Sequence, residues 1–234
     1  MGYREHAPPP ALAPWLECIW ERYADGAEPV RVLPDGCIDV VWIEDAGTQL
    51  VGANTTAFFV SLTAGTRAVG ARVRPGAAPS LLAVAGDRVR DARIPLAQVW
   101  GDEGACLAAA LDESADPAVC LRAALVARAT RADRPDPLVS IAVTALGRPA
   151  VAIEKLAGEL GLSERQLRRR VSRAVGYGPK RLARVLRFGQ ALAAARRGEG
   201  LAQVAYESGY ADQAHFTNDC RALAGVPPLA LLAA

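Results

Sequence analysis

A repeat near the C-terminal end constrains this chain more than any other feature. Ala157 and Gly161 recur 48 residues later as Ala205 and Gly209. Leu167, Val171, Gly176 and Pro179 recur 49 residues later as Phe216, Cys220, Gly225 and Pro228, the offset growing by one residue in the turn. One small unit is therefore built twice. The local signals say what it is. Ile153, Leu156, Ala157 and Leu160 fall at i, i+3, i+4 and i+7 of a helix, Gly161 ends it, and Ser163 is a good N-cap for the next helix. There Leu167, Val171, Ala174 and Val175 form the inner stripe before Gly176-Tyr177-Gly178-Pro179 breaks the chain. Proline at a first helical position opens a longer helix to about Arg197, with Leu182, Val185, Leu186, Leu192 and Ala193 expected inside. Each copy is a helix, a tight turn and a second helix, the arrangement whose second helix can lie in a DNA major groove.

Charge separates a DNA reader from a plain helical hairpin. Residues 1–136 carry 13 basic and 18 acidic groups, residues 137–234 carry 14 and 7, so only the C-terminal part suits a polyanion. With Leu167 taken as buried and 100° per residue, Arg165, Arg168, Arg169 and Ser172 point away from the core, flanked by Arg170 and Arg173. Five arginines against the single Glu164 repel one another on a merely solvated helix, but phosphates and guanine edges stabilise them. The second copy projects Ala214, Thr217, Asn218 and Arg221, with Gln213 at the helix start. The joining helix, about 19 residues and roughly 28 Å long, adds Lys180, Arg181, Arg184 and Arg187 near its start. The expected DNA-binding set is Ser163, Arg165, Arg168, Arg169, Ser172, Lys180, Arg181, Gln213, Thr217, Asn218 and Arg221.

Residues 150–234 resemble the DNA-binding domain of the AraC/XylS family of bacterial transcription regulators. The matching residues are Ala157, Gly161-Leu162-Ser163, Arg165, Leu167 and Arg169 in the first unit. In the second they are Ala205, Gly209-Tyr210, Asp212-Gln213, His215-Phe216, Gly225-Val226 and Pro228. The resemblance implies two units entering successive major grooves of double-stranded DNA, contact with RNA polymerase, and activation more often than repression. It departs from the family pattern at Asn218, where an arginine is usual, at the neighbouring Asp219, and at the C-terminus, which lacks the usual Tyr-Arg. The first unit is therefore expected to read most of the bases, with Asp219 repelling phosphates beside Asn218.

Before the proline- and arginine-rich stretch 128–137 the chain changes character. Ile38–Ile43, Phe58–Leu62 and Val69–Val73 read as strands, and 95–131 as helices. The fold expected is an α+β N-terminal domain, a small β-barrel or sheet closed by helices, plus the all-α double helix-turn-helix. The boundaries are 1–130 for effector sensing or dimerisation, 131–137 as linker and 138–234 for DNA. The family resemblance adds a cupin-like barrel and a small-molecule effector for the first part, with homodimerisation as an option. Leu33 to Trp42 together with Arg72–Gly76 resemble an uncharacterised sensor-type domain. Alternation puts Cys37, Asp39 and Val41 on one face of a strand. Asp39 there either pairs with Arg72 or Arg74 or meets a ligand amine. Trp20, Cys37, Asp39, Trp42, Arg72 and Arg74 are the candidate effector residues, and Trp15 and Trp100 further candidates for an aromatic wall.

Five scattered cysteines without CxxC spacing and two histidines give no metal site or cofactor. Cys18 and Cys37 lack a neighbouring Lys or His to activate a thiol. The polar start and the absence of a stretch near 18 apolar residues point to a cytoplasmic protein without membrane association. An enzyme fused to DNA-binding helices would need a catalytic cluster that is not visible, so a non-enzyme is expected. An interaction protein with weakened DNA binding is the other alternative.

Overall fold

The structure is a computed structural model describing residues 2–27 and 29–233. In the N-terminal region lie β1 (Gly2–His6), β2 (Leu16–Tyr23), β3 (Val30–Val32), β4 (Ile38–Ile43), β5 (Gly47–Val51), β6 (Phe58–Val60), β7 (Arg67–Val73) and β8 (Arg93–Pro95). With them are α1 (Ala78–Leu81), α2 (Gly86–Val89), α3 (Leu96–Trp100), α4 (Asp102–Asp112) and α5 (Pro117–Ala129). Six strands form one antiparallel sheet in the order β1-β2-β7-β4-β5-β8, and β3 pairs with β6 in a separate ribbon. Of the two forms expected, barrel or sheet, this is the sheet, with β1 and β8 at its edges.

Apart from Asp39, β4 is a run of β-branched and aromatic residues, which suits a central strand. Ile38, Val40 and Trp42 face the core, where Trp42 is 1% exposed and its Nε1 donates to Asp112 Oδ1 at 2.7 Å, tying β4 to α4. The α4 and α5 helices pack over the sheet with Leu107, Leu111, Leu121 and Leu125 turned inward. Each fully buried side chain of this size contributes about 1.5–3 kcal/mol.

The C-terminal region holds α6 (Pro137–Leu146), α7 (Ile153–Glu159), α8 (Glu164–Val175), α9 (Pro179–Arg196), α10 (Leu201–Glu207), α11 (Gln213–Ala224) and α12 (Pro228–Leu232). Both turns use a left-handed glycine, Gly161 (φ 66) and Gly209 (φ 76), where a β-carbon would be strained. α8 starts with a capping box: the Ser163 side chain accepts from the Gln166 amide while Gln166 reaches back to the Ser163 amide. α11 starts with Asp212 accepting from His215 N–H at 2.7 Å. Both end at left-handed glycines, Gly176 and Gly225.

α9 is shared by the two units, and this corrects its expected inner face. Phe188, Ala191, Ala194 and Ala195 join Leu182, Val185 and Leu192 inside, while Leu186 is half-buried and Ala193 exposed. A helix packed from two sides buries more than one stripe. The stretch 131–137 is fastened at both ends. Trp15 Nε1 donates to the Asp133 carbonyl at 3.2 Å, and Asp136 caps α6 and pairs with Arg170 at 2.7 Å. The buried apolar cluster runs through both regions.

Candidate nucleic-acid interface and inter-region cleft

The capping box fixes where α8 begins, and its inward stripe of Leu167, Val171, Ala174 and Val175 fixes which way it faces. Arg165, Arg168 and Arg169 are left on the solvent side, exposed and without an ion pair among the described residues. Lys180 and Arg181, on the first turn of α9, are exposed in the same way. Arg170 is spent on Asp136. The Ser163 hydroxyl is occupied by the cap, donating to Gln166 Oε1 at 3.0 Å, and Ser172 is half-buried.

The second unit is built differently, and Asp219 is the main correction. It does not face solvent beside Asn218. It is buried, accepting from Arg184 Nε at 2.8 Å, with Arg187 Nη2 at 3.5 Å. Successive helical residues point about 100° apart, so Asn218 stays outside while Asp219 turns to α9. Arg184 and Arg187, expected on the basic face, are drawn inward, and Arg187 also lies 4.4 Å over the Tyr210 ring. The Thr217 hydroxyl donates to the Gln213 carbonyl at 2.9 Å, so its proton is not available to a phosphate. Gln213, Asn218 and Arg221 remain exposed.

The other expected site is divided by the structure. Cys37, Arg72 and Arg74, joined by Asp35, line a cleft of about 590 Å³ whose far wall is Ser140, Thr144, Leu186 and Gln190 of α6 and α9. Asp39 and Trp20 stand beside Arg72 rather than in the lining: Trp20 Nε1 donates to Asp39 Oδ2 at 3.0 Å while its ring covers Gly70. Trp42 is on the opposite, core face of β4, which corrects its placement in a binding site. Trp15 and Trp100 are likewise no aromatic wall of the cleft, since their Nε1 atoms are bonded to Ser80 and to the Leu82 carbonyl.

Arg72 organises the cluster. It donates to Glu5 at 2.8 Å and Tyr3 Oη at 3.2 Å, with Nε 3.5 Å from Asp35 and 3.8 Å from Asp39. Those last distances are ion pairs but too long for hydrogen bonds, and Arg72 Nε is buried without an acceptor among the described residues. Burial raises Asp39 to about 7, partly opposed by Arg72 and the Trp20 bond, with Asp35 pushing further up. Burial also pushes the Cys18 thiol up to about 11 and Cys37 well above its usual value, so neither is an activated thiolate. Asp35, in the Pro34-Asp35-Gly36 turn, was missed as a site residue because a turn acid normally does no more than cap its own backbone, as it does here toward Cys37 N–H at 2.8 Å.

Residues 156–234 match the family model of a helix-turn-helix domain. The C-terminal region is a helix-turn-helix domain. Residues 4–95 match a domain of unknown function, DUF6597. No curated protein matches the chain. Among solved structures, this region is similar to a probable AraC family transcriptional regulator from Rhodopseudomonas palustris. That match has 26% identity and a TM-score of 0.36, covering 41% of this chain and 91% of that one. The C-terminal domain of AraT, a response regulator from Geobacillus stearothermophilus, matches at 20% identity and TM-score 0.39, covering 42% and 85%. ToxT from Vibrio cholerae matches along both regions, at 13% identity and TM-score 0.48, covering 99% and 98%. Among the described residues no helix is long and apolar enough to cross a membrane.

Proposed function

We propose that the chain is a sequence-specific transcription regulator whose first helix-turn-helix unit reads bases and whose N-terminal region responds to a small molecule. The observation that carries the first part is the distribution of arginine partners. On α9 and at the edge of α8, Arg184, Arg187 and Arg170 are neutralised by Asp219 and Asp136, whereas Arg165, Arg168 and Arg169 are left open on one helix face. A chain that needed those three only for solubility would gain nothing from clustering like charges, and an arginine fork suits the guanine O6/N7 edge.

The division into 1–130, 131–137 and 138–234 belongs to this proposal, as do RNA polymerase as partner, the non-enzymatic character and a homodimer. For the effector, the cleft offers the donors of Arg72 and Arg74 beside the acceptors of Asp35 and Glu17. That pairing suits a small polar molecule carrying both donors and acceptors.

The test is salt-dependent DNA binding by the full chain, on DNA selected from a random pool. Arg165, Arg168, Arg169, Lys180 and Arg181 can neutralise about five phosphates, so log affinity against log salt should have a slope of roughly −4 to −5. A slope near zero removes DNA binding as the function. A melting screen of the full chain against polar metabolites, repeated with Arg74→Ala, checks the effector. A hit that shifts both proteins equally does not bind in the cleft.

A further inference from the structure

The N-terminal region grips the two repeats at the same place. Both recognition helices end at left-handed glycines 49 residues apart, Gly176 and Gly225. At the first, α2 comes so close that a β-carbon on Gly86 would stand 2.7 Å from the Val175 carbonyl carbon and 2.8 Å from the Ala174 oxygen, and Arg90 Nη1 donates to the Gly176 carbonyl at 3.3 Å. At the second, the Ala57 amide donates to the Leu223 carbonyl at 2.7 Å, and Arg31 Nη1 donates to the Ala224 carbonyl. Arg31 is held on the β3–β6 ribbon, its guanidinium 4.6 Å over the Phe59 ring. The physics is the same at both ends. The last carbonyls of a helix have no partner within it and carry the negative end of its dipole, so a guanidinium from outside is a matched donor.

Base edges are reached from the N-terminal half of a recognition helix. A grip on the C-terminal ends therefore leaves Arg165, Arg168 and Arg169 open while fixing how the two helices stand to one another. We propose that the N-terminal region sets the separation and angle of the two recognition helices, and so the half-site spacing the operator must have. Arg31, Ala57, Gly86 and Arg90 act as positioning residues that never touch DNA. This rests on the reading that both units engage DNA.

The experiment takes DNA selected from a random pool by the full-length protein and changes the spacer between its two half-sites from −2 to +2 base pairs. Each base pair shifts one half-site by about 3.4 Å and about a tenth of a turn. The wild type should lose tenfold or more in affinity for the first base pair added or removed. Arg31→Ala/Arg90→Ala, changes at surface-accessible side chains, should keep a cooperative melting transition and vary less than threefold across the series. Gly86→Ala, where the new methyl must push the backbones apart, should flatten the profile too. Arg31→Lys/Arg90→Lys, which keeps the charge, should restore part of the preference. Variants that reproduce the wild-type spacing profile at any affinity overturn the proposal, as does a flat wild-type profile. A wild type that binds no DNA at any salt overturns the regulator reading along with it.

Discussion

Replacing Asp219 by alanine opposes two effects, and the structure decides which is larger. Counting charges alone, removing an acid from a DNA-binding helix should tighten binding, by about the worth of one exposed charge, under 1 kcal/mol. The side chain, however, is 6% exposed and sits between Arg184 and Arg187, whose side chains are 37% and 28% exposed. Breaking a fully buried pair costs about 3–5 kcal/mol and an exposed one about 0.2–1. With one partner buried and two partly wet, the loss should be about 2 kcal/mol. For a chain of this length that lowers the melting temperature by roughly 4–8 °C.

Unfolding in urea, with a double-mutant cycle against Arg184→Ala, measures the term directly. The coupling energy should be about 1–2 kcal/mol, with Arg184→Ala costing little once Asp219 is gone. Asp219→Asn, which keeps an acceptor, should lose less than alanine. In DNA binding the alanine protein should lose discrimination in the half-site read by α11, because its tie to α9 is cut. An Asp219→Ala protein as stable as wild type that binds its operator more tightly would refute the buried-pair argument.

Arg168→Ala or Arg169→Ala should weaken operator binding tenfold or more and relax preference in one half of the site, since a bidentate arginine–guanine pair is worth about 1–3 kcal/mol. Arg170→Ala should be milder because that side chain is already paired with Asp136, and equal losses at all three positions would sink the assignment, as measured by titration of half-site variants. Asp39, beside the cleft, should titrate near neutrality. Folded Asp39 holds its proton up to about pH 7 against an ordinary value of 3.8. Between those values the folded chain binds more protons than the unfolded one, so the stability of wild type relative to Asp39→Asn should fall as pH rises from about 4 to 7. A pH-independent difference, followed by urea unfolding with Trp20 fluorescence as the local reporter, would contradict this.

What could be read from the sequence was local. The repeat located α7, α8, α10 and α11, Ser163 and Gly176 bounded a recognition helix, and Ile38–Ile43 is β4. What could not be read depends on docking. Alternation separates Trp42 from Asp39, but on a strand buried on both faces it cannot tell which side is the core, so Trp42 stood among the effector candidates although it faces α4. The inner face of α9 was drawn as one stripe because a periodicity count assumes one partner, and α9 has several. No short-range pattern marks Asp219 as the partner of residues more than 30 positions earlier, nor Arg31 as the donor to a carbonyl near the far end of the chain.

The two helix-turn-helix units share a scaffold and divide their charges in opposite ways, and that division argues for unequal roles. The repeat preserves what the fold needs: the turn glycine, the apolar stripe and the left-handed stop. It does not preserve the outward residues. In the first unit Arg165, Arg168 and Arg169 point outward without an ion pair among the described residues, and they gain most from meeting phosphates and base edges. In the second unit the polar capacity is consumed internally, Asp219 holding Arg184 and Arg187 and the Thr217 hydroxyl bonded to its own helix. An internally satisfied helix is rigid and well placed but has less to exchange with DNA, because a donor already paired gains little by pairing again. Asn218 and Arg221 are left to touch the duplex while the buried pair and the N-terminal contacts hold α11 in position. A unit built in this way mainly positions the protein on its operator and reads fewer bases in its half-site than its neighbour does.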